Sequence, residues 1–98
     1  MSDKTMWQTA VEGFAHSGKI PEIDLHGLTV AEASPLLESF LNEQFMAGEG
    51  VVKVICGIGT GRLMLGIKEV LELYKKHGML EDYTQTRSGG VYIVRLEV

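Results

Sequence analysis

VVKVICGIGTGR, residues 51–62, is the stretch that decides the fold. Its first six residues are almost continuously apolar, which is typical of a strand buried on both faces of a sheet. Gly57, Gly59 and Gly61 follow, and glycines permit the positive φ angles that a tight turn requires. A helical pattern begins at Arg62, so the stretch predicts a strand, a glycine loop and a helix in succession. Backbone N–H groups in such a loop can approach an anion closely, and phosphate is the natural ligand.

The helix that precedes this stretch has two candidate starts. Thr29 and Glu32 have the spacing of a capping box, which predicts a helix that ends near residue 47. Alternatively, Ser34 caps a helix whose first residue is Pro35, because proline is well tolerated at that position. In the first case Pro35 lies in the second turn, where it removes one backbone hydrogen bond.

Strands and helices alternate through most of the chain. The helix that begins at Arg62 ends before Gly78. The order is βαβαββ, so right-handed crossovers should place both helices on one face and make the first three strands parallel neighbours. The last two strands should form an antiparallel hairpin. The predicted fold class is α/β, an α+β two-layer sandwich with a mixed four-stranded sheet, and its strands are expected at residues 22–26, 51–56, 80–86 and 91–97.

Residues 1–21 lie outside this alternating pattern. The apolar residues of this segment have the spacing i, i+3, i+4, i+7 of a short amphipathic helix, and they are Trp7, Ala10, Val11 and Phe14. This pattern predicts an N-terminal helical extension before a domain at residues 22–98. A short apolar stripe usually covers a core, so docking on the domain is favoured. The alternative is a protein partner bound through this helix.

The composition is that of an ordinary soluble globular protein, with 45% hydrophobic and 22% charged residues in a chain of 98. No apolar run approaches the roughly 20 residues that span a bilayer, and the first residues are too polar for a signal peptide. We therefore expect a cytoplasmic location without membrane contact. The single Cys56 cannot form an internal disulfide, and we expect it to be a strand-end residue of low reactivity.

The net charge of −4 argues against a sequence-blind nucleic-acid binder dominated by electrostatics. The charge is unevenly distributed, because residues 1–50 hold two basic and eight acidic side chains, whereas residues 51–98 hold seven basic and five acidic ones. The basic half contains the glycine loop. Its basic side chains either contact phosphate or are merely solvated, and those compatible with phosphate contact are Lys53, Arg62, Lys68, Arg87 and Arg95.

A second motif lies at the end of the first predicted strand. Asp24 and His26 are two residues apart, so a strand would direct both side chains to one side. The imidazole can then act as a general base or acid on water or on a 2′-hydroxyl, while Asp24 orients it or binds a divalent ion. The alternative is structural, with Asp24 bonded to nearby backbone amides and the His26 ring hydrogen-bonded at the strand end. The glycine loop beside the pair favours function.

The segment Asp24-Leu25-His26-Gly27, followed by the loop at residues 57–61, resembles the Smr (small MutS-related) domain family over residues 22–98. The resemblance implies a domain that binds DNA or RNA and has metal-dependent endonuclease activity, with Mg²⁺ or Mn²⁺ as the cofactor. It also implies that the last strand is inserted between the second and third. Asp24 and His26 are the catalytic candidates, and the candidates for phosphate binding are Gly57, Gly59, Thr60, Gly61 and Arg62.

Three positions depart from the family pattern. Members commonly carry His before the loop, Lys inside it and a Leu-Arg pair at the start of the helix, whereas this chain has Cys56, Ile58 and Leu63-Met64. Arg62 can replace part of the lost phosphate contact. The favoured function is a nucleic-acid-binding domain with metal-dependent endonuclease activity. The alternative is a non-catalytic module that binds nucleic acid or a protein.

Overall fold

The computed structural model describes residues 3–98, with side chains for Trp7 and for residues 9–98. Residues 1 and 2 of the predicted N-terminal extension lie outside the described residues. A helix is followed by the predicted order βαβαββ, and within residues 3–98 no helix is long and apolar enough to cross a membrane. The elements are α1 (Asp3–Ala15), β1 (Glu22–Asp24), α2 (Val30–Met46), β2 (Val51–Ile55), α3 (Arg62–Lys76), β3 (Leu80–Gln85) and β4 (Val91–Leu96).

The sheet is mixed, with the strand order β1-β2-β4-β3. β1 and β2 are parallel, and β4 is antiparallel to both of its neighbours, β2 and β3. The prediction that the first three strands are parallel neighbours is therefore wrong for β3, because β4 separates it from β2. The insertion of the last strand between the second and third, which the family resemblance implies, is confirmed.

The compositions of β3 and β4 explain their positions in the sheet. β4 reads VYIVRL and has four buried residues, whereas β3 reads LEDYTQ and has one. An interior strand is covered on both faces and needs apolar side chains. An edge strand tolerates charges, which also oppose edge-to-edge association with other chains. β4 therefore takes the interior place although it comes last in the chain.

Each face of the sheet carries helices. α2 and α3 pack on the same face, as predicted. α1 packs on the opposite face, where Trp7 and Val11 contact Ile93 of β4. The predicted docking of the N-terminal helix is thus confirmed. Trp7 and Val11 of its apolar stripe are buried, Phe14 is half-buried and Ala10 is exposed. The main core lies between the sheet and the pair α2 and α3, and its buried residues include Leu25, Leu37, Leu41, Ile67 and Leu71.

α2 begins at the first of its two candidate starts. The Thr29 Oγ1 accepts a hydrogen bond from the Glu32 N–H at 3.1 Å, and the Thr29 N–H donates to Glu32 Oε1 at 3.0 Å. Both halves of the capping box are therefore present, and Pro35 lies inside the helix. The alternative start at Ser34 is wrong, because the cap at Thr29 already satisfies the first turn.

Gly66 of α3 lies against Val30 at the start of α2. A Cβ at Gly66 would be 2.6 Å from one Val30 methyl group and 2.7 Å from the other, and a β-branched side chain in a helix has few rotamers to choose from. We expect Gly66→Ala to lower the free energy of unfolding by about 1 kcal/mol, because overpacking outweighs the gain in helix propensity. In urea unfolding, Val30→Ala combined with Gly66→Ala should cost less than the sum of the single effects.

Gly13→Ala in α1 is the matched control for this prediction, because among the described residues nothing outside the adjoining helix backbone lies within 4 Å of the Cβ position at Gly13. That variant should gain up to about 1 kcal/mol from helix propensity alone. A Gly66→Ala variant as stable as Gly13→Ala would contradict the prediction, since it would mean that α2 and α3 separate without loss.

Candidate functional site

The two motifs meet at the carboxyl ends of β1 and β2. Asp24 and Ile55 are partners in the parallel ladder, and the Leu25 N–H donates to the Ile55 carbonyl at 2.7 Å. Beyond the strands the chain turns at His26 and Gly57, and a Cβ at Gly57 would be 3.2 Å from the His26 Cβ. Gly57 therefore lets the loop lie directly against the histidine. The structure brings together the two segments that the sequence places at neighbouring strand ends.

Asp24 orients the His26 ring. Asp24 Oδ1 lies 2.6 Å from His26 Nδ1 and also accepts the His26 backbone N–H at 3.1 Å. The side-chain hydrogen bond, followed by the backbone one, holds the pKa of Asp24 below its ordinary value. Asp24 is therefore a carboxylate at neutral pH, and Nδ1 donates to it. Nε2 is the ring nitrogen left for a ligand, and the His26 side chain is 71% exposed.

The glycine loop turns through three left-handed positions. Gly57, Gly59 and Gly61 have φ angles of +77°, +42° and +85°. The Gly57 N–H donates to the Gly90 carbonyl at 3.0 Å, and the Gly61 N–H donates within the loop at 3.2 Å, so neither is available to an anion. The N–H groups of Gly59 and Thr60 form no hydrogen bond with another described residue. The predicted phosphate contacts through the backbone are therefore limited to the middle of the loop.

Gly90, in the turn before β4, supports the start of the glycine loop at residues 56 and 57. Its carbonyl accepts hydrogen bonds from the N–H groups of Cys56 at 2.7 Å and Gly57 at 3.0 Å. A Cβ at Gly90 would be 2.9 Å from the Gly57 carbonyl carbon, so a side chain there would displace the loop. The sequence pattern indicates only a turn at Gly90. The signal that identifies its role is the pairing of Val91 with Ile55, which brings this turn to the loop.

His26 and the glycine loop line one open cavity of about 640 Å³, formed by residues 26–30 and 56–63. Arg62 is exposed and lines this cavity as the first residue of α3. The Arg62 N–H donates to the Thr60 Oγ1 at 3.4 Å. Gly61 precedes the helix and offers no side-chain cap, so the next N–H groups of the first turn, those of Leu63 and Met64, remain open to an anion. An imidazole, a guanidinium group and open N–H groups around one cavity suit a phosphate ester.

Lys53 is not part of this cavity. It lies in the middle of β2 and is buried on the face of the sheet that α1 covers. Its Nζ donates to the carbonyls of Ala15 and Ser17 at 2.9 and 3.3 Å, where a cation stabilises the C-terminal end of a helix. The prediction that Lys53 contacts phosphate is wrong, because its ammonium group is hydrogen-bonded to carbonyls at the end of α1 and just after it.

Three other basic residues also lie away from the cavity. The Arg95 Cζ is 5.0 Å from the centre of the Trp7 ring, on the face that α1 covers. Lys68 lines a separate groove between α3 and β3. Arg87 lies in the turn between β3 and β4, and its backbone N–H donates to a carboxylate of α1 at 2.7 Å. Arg62 is the predicted basic contact that the structure places at the glycine loop.

Cys56 follows β2 directly and is 4% exposed. Burial raises the pKa of its thiol to about 11, with a smaller contribution from the negative charge of Asp24. The thiol is therefore protonated at neutral pH and is a poor nucleophile. This agrees with the expected role of a strand-end residue of low reactivity.

Metal ligands are sparse in the described part of the chain, where no three His, Cys, Asp or Glu side chains are grouped to hold an ion. Asp24 nevertheless supplies a carboxylate beside His26. Mg²⁺ is commonly bound by one or two carboxylates, with waters and substrate phosphates completing the coordination. Within residues 3–98, Asp24 is thus the one carboxylate beside His26 that such an ion could use, and water and substrate phosphate would have to supply the other ligands.

The fold and the site together define an α/β domain that presents a carboxylate-oriented histidine and a glycine loop at the open edge of a mixed sheet. The model of the Smr domain family matches residues 23–97. The chain belongs to the Smr domain family.

Similar proteins include several named endonuclease MutS2. The protein of Thermotoga maritima is 33% identical over 92 residues, which are 93% of this chain and 12% of that protein. The protein of Aquifex aeolicus is 40% identical over 76 residues, which are 76% of this chain and 10% of that protein. The crystal structure of the Smr domain of Thermus thermophilus MutS2 matches with a TM-score of 0.71 and 33% identity, covering 79% of this chain and 98% of that one. The chain thus spans about a tenth of the length of these MutS2 proteins.

The Asp24–His26 pair should make stability depend on pH. The pKa of Asp24 in the folded protein lies below its ordinary value of 3.8, so the stabilisation is present above that pH and is lost as pH falls through the folded pKa. Asp24→Asn should lower the free energy of unfolding at pH 7 by less than about 1 kcal/mol, because exposed pairs are screened by solvent. Urea unfolding at neutral and strongly acidic pH should show the difference disappearing in acid. If the difference in stability between wild type and Asp24→Asn persists in acid, its cause is something other than the charge of Asp24.

Proposed function

We propose that this domain binds nucleic acid at the glycine-loop cavity and hydrolyses a phosphodiester there with the help of a divalent ion. The observation that carries the proposal is the position of His26. Its ring is fixed by Asp24 at 2.6 Å and stands against Gly57, whose loop offers open N–H groups. A general base, or acid, and a phosphate-binding loop therefore face the same cavity, and both contribute to phosphodiester hydrolysis where they are present.

The residues divide the chemistry between them. The N–H groups of Gly59 and Thr60, with the Arg62 guanidinium, hold the phosphate oxygens. His26 Nε2 accepts a proton from the attacking water, and Asp24 stabilises the resulting imidazolium. The new P–O bond displaces the nucleoside oxygen on the opposite side of the phosphorus, and that oxygen takes its proton from solvent. When the substrate is RNA, a 2′-hydroxyl can give its proton to Nε2 instead, and the displacement then yields a 2′,3′-cyclic phosphate. Mg²⁺ or Mn²⁺, bound by Asp24 and the substrate phosphate, would supply stabilisation of the charge that develops on the phosphate.

The relatives support this proposal by their names. The MutS2 proteins of Thermotoga maritima and Aquifex aeolicus are called endonucleases, and the regions that match this chain are about a tenth of each. The solved Smr domain of Thermus thermophilus MutS2 has the same fold over 98% of its length. A nucleic-acid target also agrees with the cytoplasmic location that the sequence leads us to expect.

A second candidate function is binding without cleavage. Ile58 is 71% exposed in the loop, at the position where family members commonly carry Lys, so the loop has one cation fewer for stabilising a transition state. A protein partner bound through α1 is less favoured, because Trp7 and Val11 are buried against the sheet. Such a partner would have to use the outer face of α1.

Incubation with supercoiled plasmid and, separately, with single-stranded RNA tests the proposal. Each substrate is combined with Mg²⁺, with Mn²⁺ or with chelator, and binding is measured in parallel by gel shift. Cleavage that requires the metal supports the endonuclease. Binding without cleavage under every condition selects the second candidate, and the absence of both would overturn the nucleic-acid function.

Replacing Arg62 tests whether phosphate binding is local to the cavity. We expect Arg62→Gln to weaken binding of every sequence alike and to reduce the slope of log Kd against log salt by about one, the effect of one lost phosphate contact. Lys76→Gln is the matched control, because Lys76 lies at the other end of α3, roughly 20 Å away. Fluorescence anisotropy over a range of salt concentrations measures both slopes. Equal slopes for the two variants would contradict the assignment.

A further inference from the structure

A second groove lies on the other side of the glycine loop from His26. It has a volume of about 310 Å³ and is formed by loop residues 58–61 together with the turn at residues 88–90, with Met64 and Gln85 completing the lining. Loop residues 58–61 also line the larger cavity. The loop is therefore a wall shared by two adjoining spaces, one of which holds His26 and Arg62.

The two spaces differ in charge. The larger cavity is lined by the imidazole of His26 and the guanidinium of Arg62, whereas no charged side chain lines the second groove. Its walls combine the apolar side chains of Ile58 and Met64 with the neutral polar groups of Gln85 and Ser88. A phosphate would bind weakly there, because no positively charged side chain lines the groove. A flat, neutral group with hydrogen-bonding edges and apolar faces is the ligand that fits.

Gln85 is the side chain in this groove that can read such an edge. It is exposed at the end of β3, where it also borders the groove that Lys68 lines. Its carboxamide forms no hydrogen bond with another described residue. Its Nε2 lies 3.6 Å from the position that a Cβ on Gly89 would occupy, so the amide reaches over the turn that borders the groove. A carboxamide offers a donor and an acceptor side by side, the arrangement that pairs bidentately with adenine.

We infer that this groove binds an unpaired nucleobase, preferably adenine, of the nucleotide next to the phosphate held by the loop. The inference rests on the proposed function, which places a phosphate on the other side of the same loop. Ile58 and Met64 contact the faces of the base, and Gln85 recognises its edge. The base must be unpaired, because a base inside a duplex is stacked on both faces and cannot enter a groove between a loop and a turn. Ile58, where relatives commonly carry Lys, is on this view a contact surface for the base.

The test measures sequence preference. Fluorescence anisotropy gives the Kd of wild type for single-stranded oligonucleotides of identical length, all-thymine except for one central adenine, guanine or cytosine, in DNA and, with uracil as host, in RNA. The measurements are made with chelator and, separately, with Mg²⁺. We expect the adenine oligonucleotide to bind about tenfold more tightly than the others, within the range of one bidentate base contact.

Gln85→Leu should remove this preference while changing the affinity for the remaining oligonucleotides by less than about twofold, because the leucine keeps the apolar contact and lacks the hydrogen bonds. Gln44→Leu, in α2 and outside both spaces, is the control and should keep the preference. Arg62→Gln should weaken every oligonucleotide equally. Comparison of the DNA series with the RNA series shows whether the groove takes the base from DNA, from RNA or from both.

The outcomes distinguish the inference from the function on which it rests. Binding by wild type with a preference that survives in Gln85→Leu, or with no preference at all, would overturn the nucleobase groove and leave the phosphate site standing. No binding of any oligonucleotide under either condition would overturn both. Thermal unfolding of Gln85→Leu confirms that the variant folds, which its exposed position predicts.

Discussion

Replacing His26 with alanine should reduce the rate of metal-dependent phosphodiester cleavage by about 10²–10⁴-fold, the usual contribution of a positioned general acid or base. Affinity for the uncleaved nucleic acid should change by less than about threefold, because the loop N–H groups and Arg62 supply the phosphate contacts. The effect should therefore appear in kcat and not in KM. Steady-state cleavage of a fluorescent oligonucleotide, with binding measured separately in chelator, gives both quantities.

His77→Ala is the matched control for this loss of rate. His77 is an exposed histidine that caps the C-terminal end of α3, at the opposite end of the helix from the glycine loop. It should leave both rate and affinity unchanged. Cleavage by His26→Ala at the wild-type rate would remove His26 from the mechanism, and a contaminating nuclease would then have to be tested by purifying a loop variant such as Gly59→Val in the same way.

Asp24→Asn refines the same prediction. The carboxylate fixes the ring through Nδ1 and stabilises the imidazolium that forms when Nε2 takes up a proton. An amide at this position can hydrogen-bond Nδ1 but carries no charge, so cleavage should fall less than in His26→Ala. If Asp24 also binds the divalent ion, the metal concentration needed for half-maximal cleavage should rise in the same variant. An unchanged metal dependence would limit Asp24 to orienting the ring.

Local sequence patterns predicted the elements of this fold well, and the long-range order of the sheet less well. The capping box at Thr29 and Glu32 identified the start of α2 because its hydrogen bonds join residues three apart. The position of β4 depends on which of the two strands loses less free energy when it forms the exposed edge of the sheet. The alternation of strands and helices along the chain contains no information about that difference. The contrast between VYIVRL and LEDYTQ does contain it, since only the first can be buried on both faces.

In the candidate site, too, the features set by neighbouring residues could be predicted from the sequence, and those set by long-range packing could not. The relation of Asp24 to His26 follows from the period of a strand, and the positive φ angles at residues 57, 59 and 61 follow from the glycines themselves. The support of the loop by Gly90 could not be predicted locally, because it arises only when β4 pairs with β2. The charge of Lys53 alone makes it compatible with phosphate contact. Its burial beneath α1 depends on the docking of a helix almost 40 residues away.

Replacing Trp7 with alanine should lower the free energy of unfolding by about 3–5 kcal/mol, the range measured for large aromatic residues in cores. Trp7 is 5% exposed, and its ring lies 6.1 Å from that of Phe14 and 5.0 Å from the Arg95 Cζ. The substitution removes the main apolar contact between α1 and the sheet. It also removes the cation–π contact of Arg95, whose Nε is buried without a hydrogen-bond partner among the described residues.

The single tryptophan of the chain provides the measurement for this prediction. Trp7 is the single tryptophan, so in wild type its fluorescence reports the docking of α1, while far-UV circular dichroism reports the whole domain. Coincident urea midpoints for the two signals would mean that α1 and residues 22–98 unfold together. The loss in Trp7→Ala is then read by circular dichroism, and Trp7→Phe should recover part of it. A loss below about 1 kcal/mol would contradict the packing of α1 described above.

Nucleic-acid binding by Trp7→Ala decides what the docked helix contributes to the site. α1 contacts the turn between β3 and β4 through the hydrogen bond from the Arg87 N–H to Glu12 at 2.7 Å, and the same turn carries Gly90, which supports the glycine loop. The family model begins only at residue 23, so the match to the family does not include α1. If α1 serves stability alone, affinity at a temperature where Trp7→Ala remains folded should equal that of wild type. If the turn needs α1 to hold the loop, affinity should fall together with docking, and Glu12→Gln should reproduce part of that loss without unfolding the domain.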